Sequence, residues 1–249
     1  MRSARLVCLL PARNCASDLP GYFASASHFA DAVVALDDGS TDGTRAALAR
    51  EPAVVRLLEN PVRTTYAGWD DAANRNRLLH AAGELEPDWI LFLDADERIA
   101  QDEASALRSF IAGPARPGYG YLLEVYRMLG ASEFEQPPLV VGRLFAHEPG
   151  QTLPTTRLHL VALPMRIPRR RWVRTTLRIQ HFGSSTPERR AARYAKYLQA
   201  DPHRRFQNSY EHLLSVGERP LPWRPRPAGL AVVPPPLGRR LSPWRVPAA

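Results

Sequence analysis

Two aspartates with a single residue between them, Asp94 and Asp96, stand in the run Leu93-Asp94-Ala95-Asp96-Glu97-Arg98. They follow the apolar stretch Trp89-Ile90-Leu91-Phe92-Leu93, which is preceded by Pro87-Asp88. A short run of bulky apolar residues bounded in this way reads as an interior strand. The aspartates therefore leave the sheet at the strand's carboxyl end, where open α/β sheets hold their ligands. Carboxylates at that spacing suit a hard divalent cation held jointly with phosphate oxygens. A lone Asp-x-Asp is more often just a polar strand exit, so the other motifs decide the reading.

A second acidic turn, Asp37-Asp38-Gly39-Ser40-Thr41-Asp42-Gly43-Thr44, follows the apolar run Ala32–Leu36. Its glycines and hydroxyls are what a strand-to-helix turn requires, with Ser40, Thr41 or Asp42 as helix cap. That structural role accounts for only one of its acidic residues. A calcium loop would need alternating aspartates and a distal glutamate, which are missing. Neither a P-loop nor a dinucleotide glycine fingerprint is present, which counts against ATPase and NAD-dependent chemistry. His181 stands between Leu177-Arg178-Ile179-Gln180 and Phe182-Gly183-Ser184-Ser185. On its own it reads as an ordinary strand-end histidine.

These residues need a scaffold, and the first half of the chain supplies a regular one. Leu6–Leu10, Ala32–Leu36, Val54–Leu58 and Trp89–Leu93 read as strands. Helical segments over 18–29, from Asp42 or Gly43 to Pro52, and over 71–82 separate them. That alternation predicts a mostly parallel central sheet flanked by helices. Right-handed crossovers bring the loop after Pro11, the Asp37-Asp38 turn and the Asp94-Asp96 exit to one crevice. The second half is less regular. A helix is expected over 101–111, and strands over 119–126, 139–145, 158–163 and 176–181. Thr186, Pro187 and Glu188 open a helix that Asp201-Pro202 ends. A short helix is expected over 204–216. Residues 219–249 are rich in Pro and Arg and read as an extended or disordered tail.

At 249 residues and 45% apolar content, the chain suits one α/β domain with little left for another. The expected division is a domain over 1–218, with a nucleotide-binding half over about 1–100 and an acceptor half over about 101–218. No apolar run approaches the ~18 residues that span a bilayer. The N-terminus reads directly into a strand rather than as a signal peptide. Cys8 and Cys15 give no disulfide framework, so a reducing cytoplasm is the expected setting, with the inner face of the membrane as an alternative site. The net charge is +8, and it is concentrated in Arg166, Arg169, Arg170, Arg171, Arg174 and Arg178. Such a cluster is first a solvated basic face, then a contact for a phosphorylated or lipid-linked molecule. Nucleic acid ranks last, since no aromatic RNA motif or zinc pattern accompanies the charge.

Taken in order, Pro11-Ala12-Arg13-Asn14, Asp37 to Thr44 and Leu93 to Arg98 resemble family 2 glycosyltransferases with the GT-A fold, over about residues 5–200. The phrase from Trp89 to Arg98 is similar to the branch containing lipopolysaccharide-core and peptide glycosyltransferases of the bacterial envelope. The resemblance implies roles. Pro11, Ala12 and Arg13 embrace the nucleoside. Asp38 accepts a hydrogen bond from the base, and Arg75 faces the base or phosphates. Asp94 serves the ribose and the metal shell. Asp96 binds Mg²⁺ or Mn²⁺ directly, and His181 completes the shell. Related sequences often show His-Glu where this chain has His159-Leu160, which removes the obvious catalytic base for inverting transfer. Glu133, Glu135 and Glu148 are the remaining candidates, and Glu148 is the expected base.

The resulting expectation is a metal-dependent inverting glycosyltransferase. It moves a sugar from a nucleotide diphosphate donor to an envelope glycan, a lipid-linked molecule or a peptide. A nucleotidyltransferase, or a non-catalytic nucleotide-sugar-binding protein of the same fold, is the alternative.

Overall fold

The computed structural model describes residues 4–217 and 220–233. The first strand, β1 (Leu6–Ala12), is buried along nearly its whole length. The chain continues through α1 (Leu19–Ala26), β2 (Ala32–Asp37), α2 (Thr44–Arg50), β3 (Val54–Glu59), α3 (Asp71–Gly83) and β4 (Trp89–Phe92). Then come β5 (Glu97–Arg98), α4 (Gln101–Ala112), β6 (Gly120–Leu129), β7 (Glu133–Phe134), β8 (Leu139–Ala146), β9 (Trp172–His181), α5 (Pro187–Ala200) and β10 (Leu221–Pro222).

β1, β2 and β4 read as near-continuous apolar runs because both of their faces are covered. Parallel strands connected through helices are buried in this way. β1 pairs in parallel with β2 on one side and β4 on the other, and β2 with β3. The sheet is thus the mostly parallel, helix-flanked one that the sequence predicts. One apolar layer, including Leu6, Cys8, Leu10 and Leu91, lies on one face. Val7, Leu9, Ile90 and Phe92 lie on the other face, against Leu78 and Leu79 of α3.

The sheet does not stop at residue 100. β8 runs antiparallel to β4, and β6 antiparallel to β8. The full path is β10-β7-β6-β8-β4-β1-β2-β3, so the two halves of the chain share one sheet. β9 is parallel to β6, and its end pairs with β5 so that Glu97 lies opposite His181. That short antiparallel pair fixes the site, because it sets a residue from late in the chain beside the Asp94–Asp96 exit.

Two stretches differ from the sequence expectation. Residues 158–163 form no strand; Leu158 and Leu163 are buried in an irregular loop. Residues 204–216 hold only one 3-10 turn, Glu211–Leu213. Asp201 ends α5 and accepts hydrogen bonds from the backbone of Arg205, Phe206 and Gln207, which draws the chain into a turn instead of a helix. The described part of the tail, 220–233, lies along the domain. Trp223 packs edge-on against Tyr126 and Phe134. Arg226 reaches the fully buried Glu103 at 2.9 Å. The tail residues 234–249, Trp244 among them, lie outside the described residues, as do Glu218 and Arg219.

Candidate active site

Each acidic motif leaves a strand at the same edge of the sheet. β1 ends in Pro11-Ala12-Arg13, β2 in Asp37-Asp38, and β4 in Leu93-Asp94-Ala95-Asp96. These ends, the start of α3, the end of β9 and one face of α5 enclose a cavity of about 530 Å³. Pro11, Ala12, Arg13, Asp38, Arg75, Asp94, Asp96 and His181 all line it.

Asp38 is 3% exposed. One of its oxygens accepts from Asn60 Nδ2 at 2.5 Å and the other from Arg63 at 2.6 Å. Asn60 also donates to Asn74 at 2.9 Å. Gly39 permits this arrangement. Its φ is +75° and an added Cβ would stand 2.2 Å from the Pro61 carbonyl oxygen, so the loop that carries Asn60 and Arg63 can close down on Asp38 only over a glycine. Arg13 stacks on Tyr66, with its guanidinium carbon 4.0 Å from the ring centroid, and donates to the Arg63 and Thr65 carbonyls.

Asp94 is gripped from two sides, by Arg75 at 2.7 Å and Arg143 at 3.1 Å. Arg75 is anchored by Asp71 one helical turn earlier, at 2.9 Å. Arg143 also holds the buried Glu97 at 2.6 Å. Burial opposes ionisation of Asp94, but Arg143 and Arg75 override it and hold the carboxyl well below its usual range. Asp96 behaves likewise. Burial works against its charge, and His181 when protonated, together with Arg193 and Lys196, more than offsets it. For Glu97, burial wins over Arg143 and lifts its pKa. Two neighbouring carboxylates thus stay ionised beside a third that is harder to charge.

The Asp96 Oδ2 and His181 Nε2 atoms are 3.4 Å apart. Gly183 lies against them, and an added Cβ would stand 2.0 Å from Asp96 Oδ2. Neighbouring ligands of an octahedral cation with bonds of about 2.1 Å are about 3 Å apart. Asp96 and His181 therefore fit two adjacent positions around one Mg²⁺ or Mn²⁺. Among the described residues no group of three or more His, Cys, Asp or Glu side chains could hold a metal ion. A site of this kind suits a cation that takes its remaining ligands from phosphate and water, as Mg²⁺ usually does.

The wall opposite the carboxylates comes from α5, capped by Thr186 as the sequence predicts. Arg189, Arg193, Lys196 and Tyr197 line the cavity. Arg189 pairs with Asp18 at 2.7 Å, and Lys196, the chain's single lysine, stands 4.1 Å from the Trp69 ring centroid. Tyr197 stacks on Tyr210 and His159, which hold the helix against the cleft. Sequence reasoning missed Asn60, Arg63, Arg143 and Lys196. Asn60 and Arg63 lie in an irregular loop, and Arg143 lies inside a strand, where an arginine gives no motif.

Glu148, the expected base, does not line this cavity. β8 is antiparallel to β4, with Ala146 opposite Trp89. Ala146 is thus already roughly 16 Å along the strand direction from Asp94, and Glu148 follows it at the amino end of β4. There it pairs with Arg166 at 3.2 Å. Glu133 and Glu135 follow β6, whose Arg127 is in register with His181, so their loop is on the cleft side of the sheet. Glu135 is tied to Arg127 at 3.1 Å and accepts from the Gly217 backbone. The arginine cluster is also remote from the cleft. Arg169–Arg171 form an exposed 3-10 turn ahead of β9, while Arg174 and Arg178 pair with Glu124 and Glu103. Cys8 and Cys15 are buried and free, and no helix among the described residues is long and apolar enough to cross a membrane.

A helix-flanked, mostly parallel sheet whose carboxyl edge gathers these motifs has the architecture of GT-A nucleotide-sugar transferases. Residues 8–116 match the family model described as glycosyl transferase family 2, and that part of the chain is a glycosyl transferase family 2 domain, as its motifs suggest. The chain is 26% identical over 219 residues to an uncharacterized protein of Mycobacterium tuberculosis, covering 81% of this chain and 52% of that protein. It thus spans about half the length of the curated relatives it matches. A mannosyltransferase from Pyrobaculum calidifontis, solved with GDP-Man and Mn²⁺, shares the fold with a TM-score of 0.51 at 19% identity, over 81% of this chain and 64% of that one. TarS of S. aureus (residues 1–349) aligns with a TM-score of 0.49 at 16% identity, over 84% of this chain and 69% of that one.

Proposed function

We propose that this chain is a metal-dependent glycosyltransferase that takes a sugar from a nucleotide diphosphate donor and passes it, with inversion, to an envelope glycan, a lipid-linked molecule or a peptide. The observation that supports this is convergence. Eight side chains from five separate segments, chosen for nucleotide and metal roles, line a single cavity. The mannosyltransferase of similar fold, solved with GDP-Man and Mn²⁺, supports the same donor and cation classes.

In this reading Pro11, Ala12 and Arg13 flank the nucleoside, and Asp38 accepts a hydrogen bond from the base. Both Asp38 oxygens already have donors, so the base joins or displaces Asn60 or Arg63. Arg75 and Arg143 keep Asp94 ionised and oriented toward the ribose side of the cleft. Asp96 and His181 hold Mg²⁺ or Mn²⁺. When bound, the cation neutralises charge that grows on the departing nucleoside diphosphate. Arg193 and Lys196 add positive charge on the opposite wall, where the same departing charge gains from it.

One observation favours the non-catalytic alternative. Every carboxylate lining the cavity is already engaged: Asp18 with Arg189, Asp38 with Arg63, Asp71 and Asp94 with Arg75, and Asp96 with His181. None is free to serve as base. A panel of UDP- and GDP-sugars, assayed with Mn²⁺ and with chelator, separates the readings. Chelator-sensitive release of nucleoside diphosphate supports the transferase, and pyrophosphate would indicate a nucleotidyltransferase. Binding without turnover on any donor and acceptor would leave a nucleotide-sugar-binding protein.

A further inference from the structure

His181 Nε2 faces two groups at once. Asp96 Oδ2 is 3.4 Å away, and Arg193 NH1 is in direct hydrogen-bond contact with it. One ring nitrogen cannot donate to the carboxylate and accept from the guanidinium together. A guanidinium has donors only, so the Arg193 contact requires a lone pair on Nε2 and a proton on Nδ1, a tautomer assigned from the contact. The imidazole lone pair then rests on Arg193, and the positive charge of Arg193 also favours the ionised Asp96 beside it.

The two sides of this notch are tethered differently. Asp96 and His181 are fixed by the pairing of Glu97 with His181, by the hydrogen bond from the Phe182 backbone to the Asp96 carbonyl, and by the contact with Gly183. Arg193 is held by fewer bonds: it projects from α5 into the cavity, its NH1 meets His181, and its buried Nε has no partner. Resting on the metal reading above, we propose that Arg193 and the divalent cation compete for the notch between Asp96 and His181. Donor loading moves Arg193 from the notch to the diphosphate. A metal arriving alone has to displace a resident cation that gains no new partner. A metal arriving with a nucleoside diphosphate brings the anion that receives the displaced guanidinium. Metal and nucleotide therefore load cooperatively, and the coupling is reciprocal.

The test is a Mn²⁺ titration of the full chain, alone and with UDP or GDP. Free Mn²⁺ is followed by electron paramagnetic resonance, with correction for Mn²⁺–nucleotide complexes in solution. Wild type is expected to bind Mn²⁺ at least tenfold more tightly with nucleotide than without. Arg193→Ala is expected to bind Mn²⁺ alone about tenfold more tightly than wild type and to lose most of the nucleotide-linked gain. Arg193→Gln, which keeps side-chain length without charge, should do the same and guards against a packing defect at Tyr197. If both variants bind Mn²⁺ alone as wild type does, while Asp96→Asn and His181→Ala weaken it, the competition is refuted and the metal site stands. If Asp96→Asn and His181→Ala also leave Mn²⁺ binding unchanged, the metal reading falls and the competition with it.

Discussion

Replacing Gly183 with alanine puts a methyl group where the Asp96 carboxylate already is. The new Cβ would stand 2.0 Å from Asp96 Oδ2 and 2.9 Å from His181 Cε1. An ordinary carbon–oxygen contact is about 3.3 Å, so one partner must retreat by more than about 1 Å. Neither can do so freely. The loop is tied by Phe182 N to the Asp96 carbonyl at 2.8 Å and by Gly130 N to the Ser185 carbonyl at 3.1 Å. Asp96 is followed at once by Glu97, which is paired with His181. Overpacking of this kind costs about 1 to 3 kcal/mol, and each kcal/mol moves the melting temperature of a chain this size by about 2 to 4 °C. The expected drop is about 2 to 12 °C by calorimetry or circular dichroism, together with weaker Mn²⁺ binding as Asp96 leaves His181. Asp96→Ala removes the atom in conflict, so the double variant should melt higher than the sum of the two single effects. An alanine variant with wild-type melting temperature and Mn²⁺ affinity would refute the proposed contact.

Asp38→Ala should weaken nucleoside diphosphate binding by about 1 to 3 kcal/mol in calorimetry, because it leaves buried donors unpaired; unchanged affinity places the base elsewhere. Arg226→Ala should lower stability by about 1 to 3 kcal/mol, because the fully buried Glu103 then keeps Arg178 alone, while nucleotide affinity holds; a wild-type melting curve would show that the 220–233 segment does not brace the domain. Glu148→Gln should leave nucleotide binding and turnover intact, and a loss of 100-fold or more in rate would overturn its placement away from the cleft. Asp94 and Asp96 have folded-state pKa values below their unfolded values, so each contributes stability that is complete above the unfolded value and lost as pH falls toward the folded one. Acid melts from about pH 5 downward should therefore be shallower for Asp96→Asn than for wild type, and identical slopes would mean that Asp96 is not held ionised in the fold.

The parts of this site that were legible in the sequence share one physical feature. They stand at the ends of strands buried on both faces. A run such as Leu6–Leu10 or Trp89–Leu93 carries an apolar signal strong enough to be located, and in a parallel sheet its carboxyl end identifies the ligand edge. Asp38, Asp94 and Asp96 were found that way. The failures have equally specific causes. Residues 158–163 are apolar because they are buried, not because they form a ladder. Leu163 closes over Gly120 and Gly142, where an added Cβ would stand 2.7 Å and 2.6 Å from it. A buried loop and a short strand look alike when only apolarity is read. The 204–216 stretch has helical composition, but Asp201 gives its side chain to three backbone amides beyond the helix, and that competition is a matter of local geometry.

The misplacement of Glu148 teaches more, because it turned on strand direction. Leu139–Ala146 could be recognised as a strand, yet nothing in its residues says which way it runs. Had it been parallel to β4, Glu148 would have emerged beside Asp94 and the expected base would have been in reach. Because it is antiparallel, every residue after it emerges at the far edge. The opposite holds for β6, which has the same sense as β4 because each is antiparallel to β8. Residues 130–138 therefore emerge at the same edge of the sheet as Asp94, although none of them lines the cavity itself. Glu135 has both oxygens committed to Arg127 and the Gly217 backbone, whereas Glu133 is exposed on β7. Of the three glutamates considered as base, Glu133 is thus the one that is both exposed and at the Asp94 edge of the sheet. The direction of one strand thus moves the search for the base from residue 148 to residues 130–138.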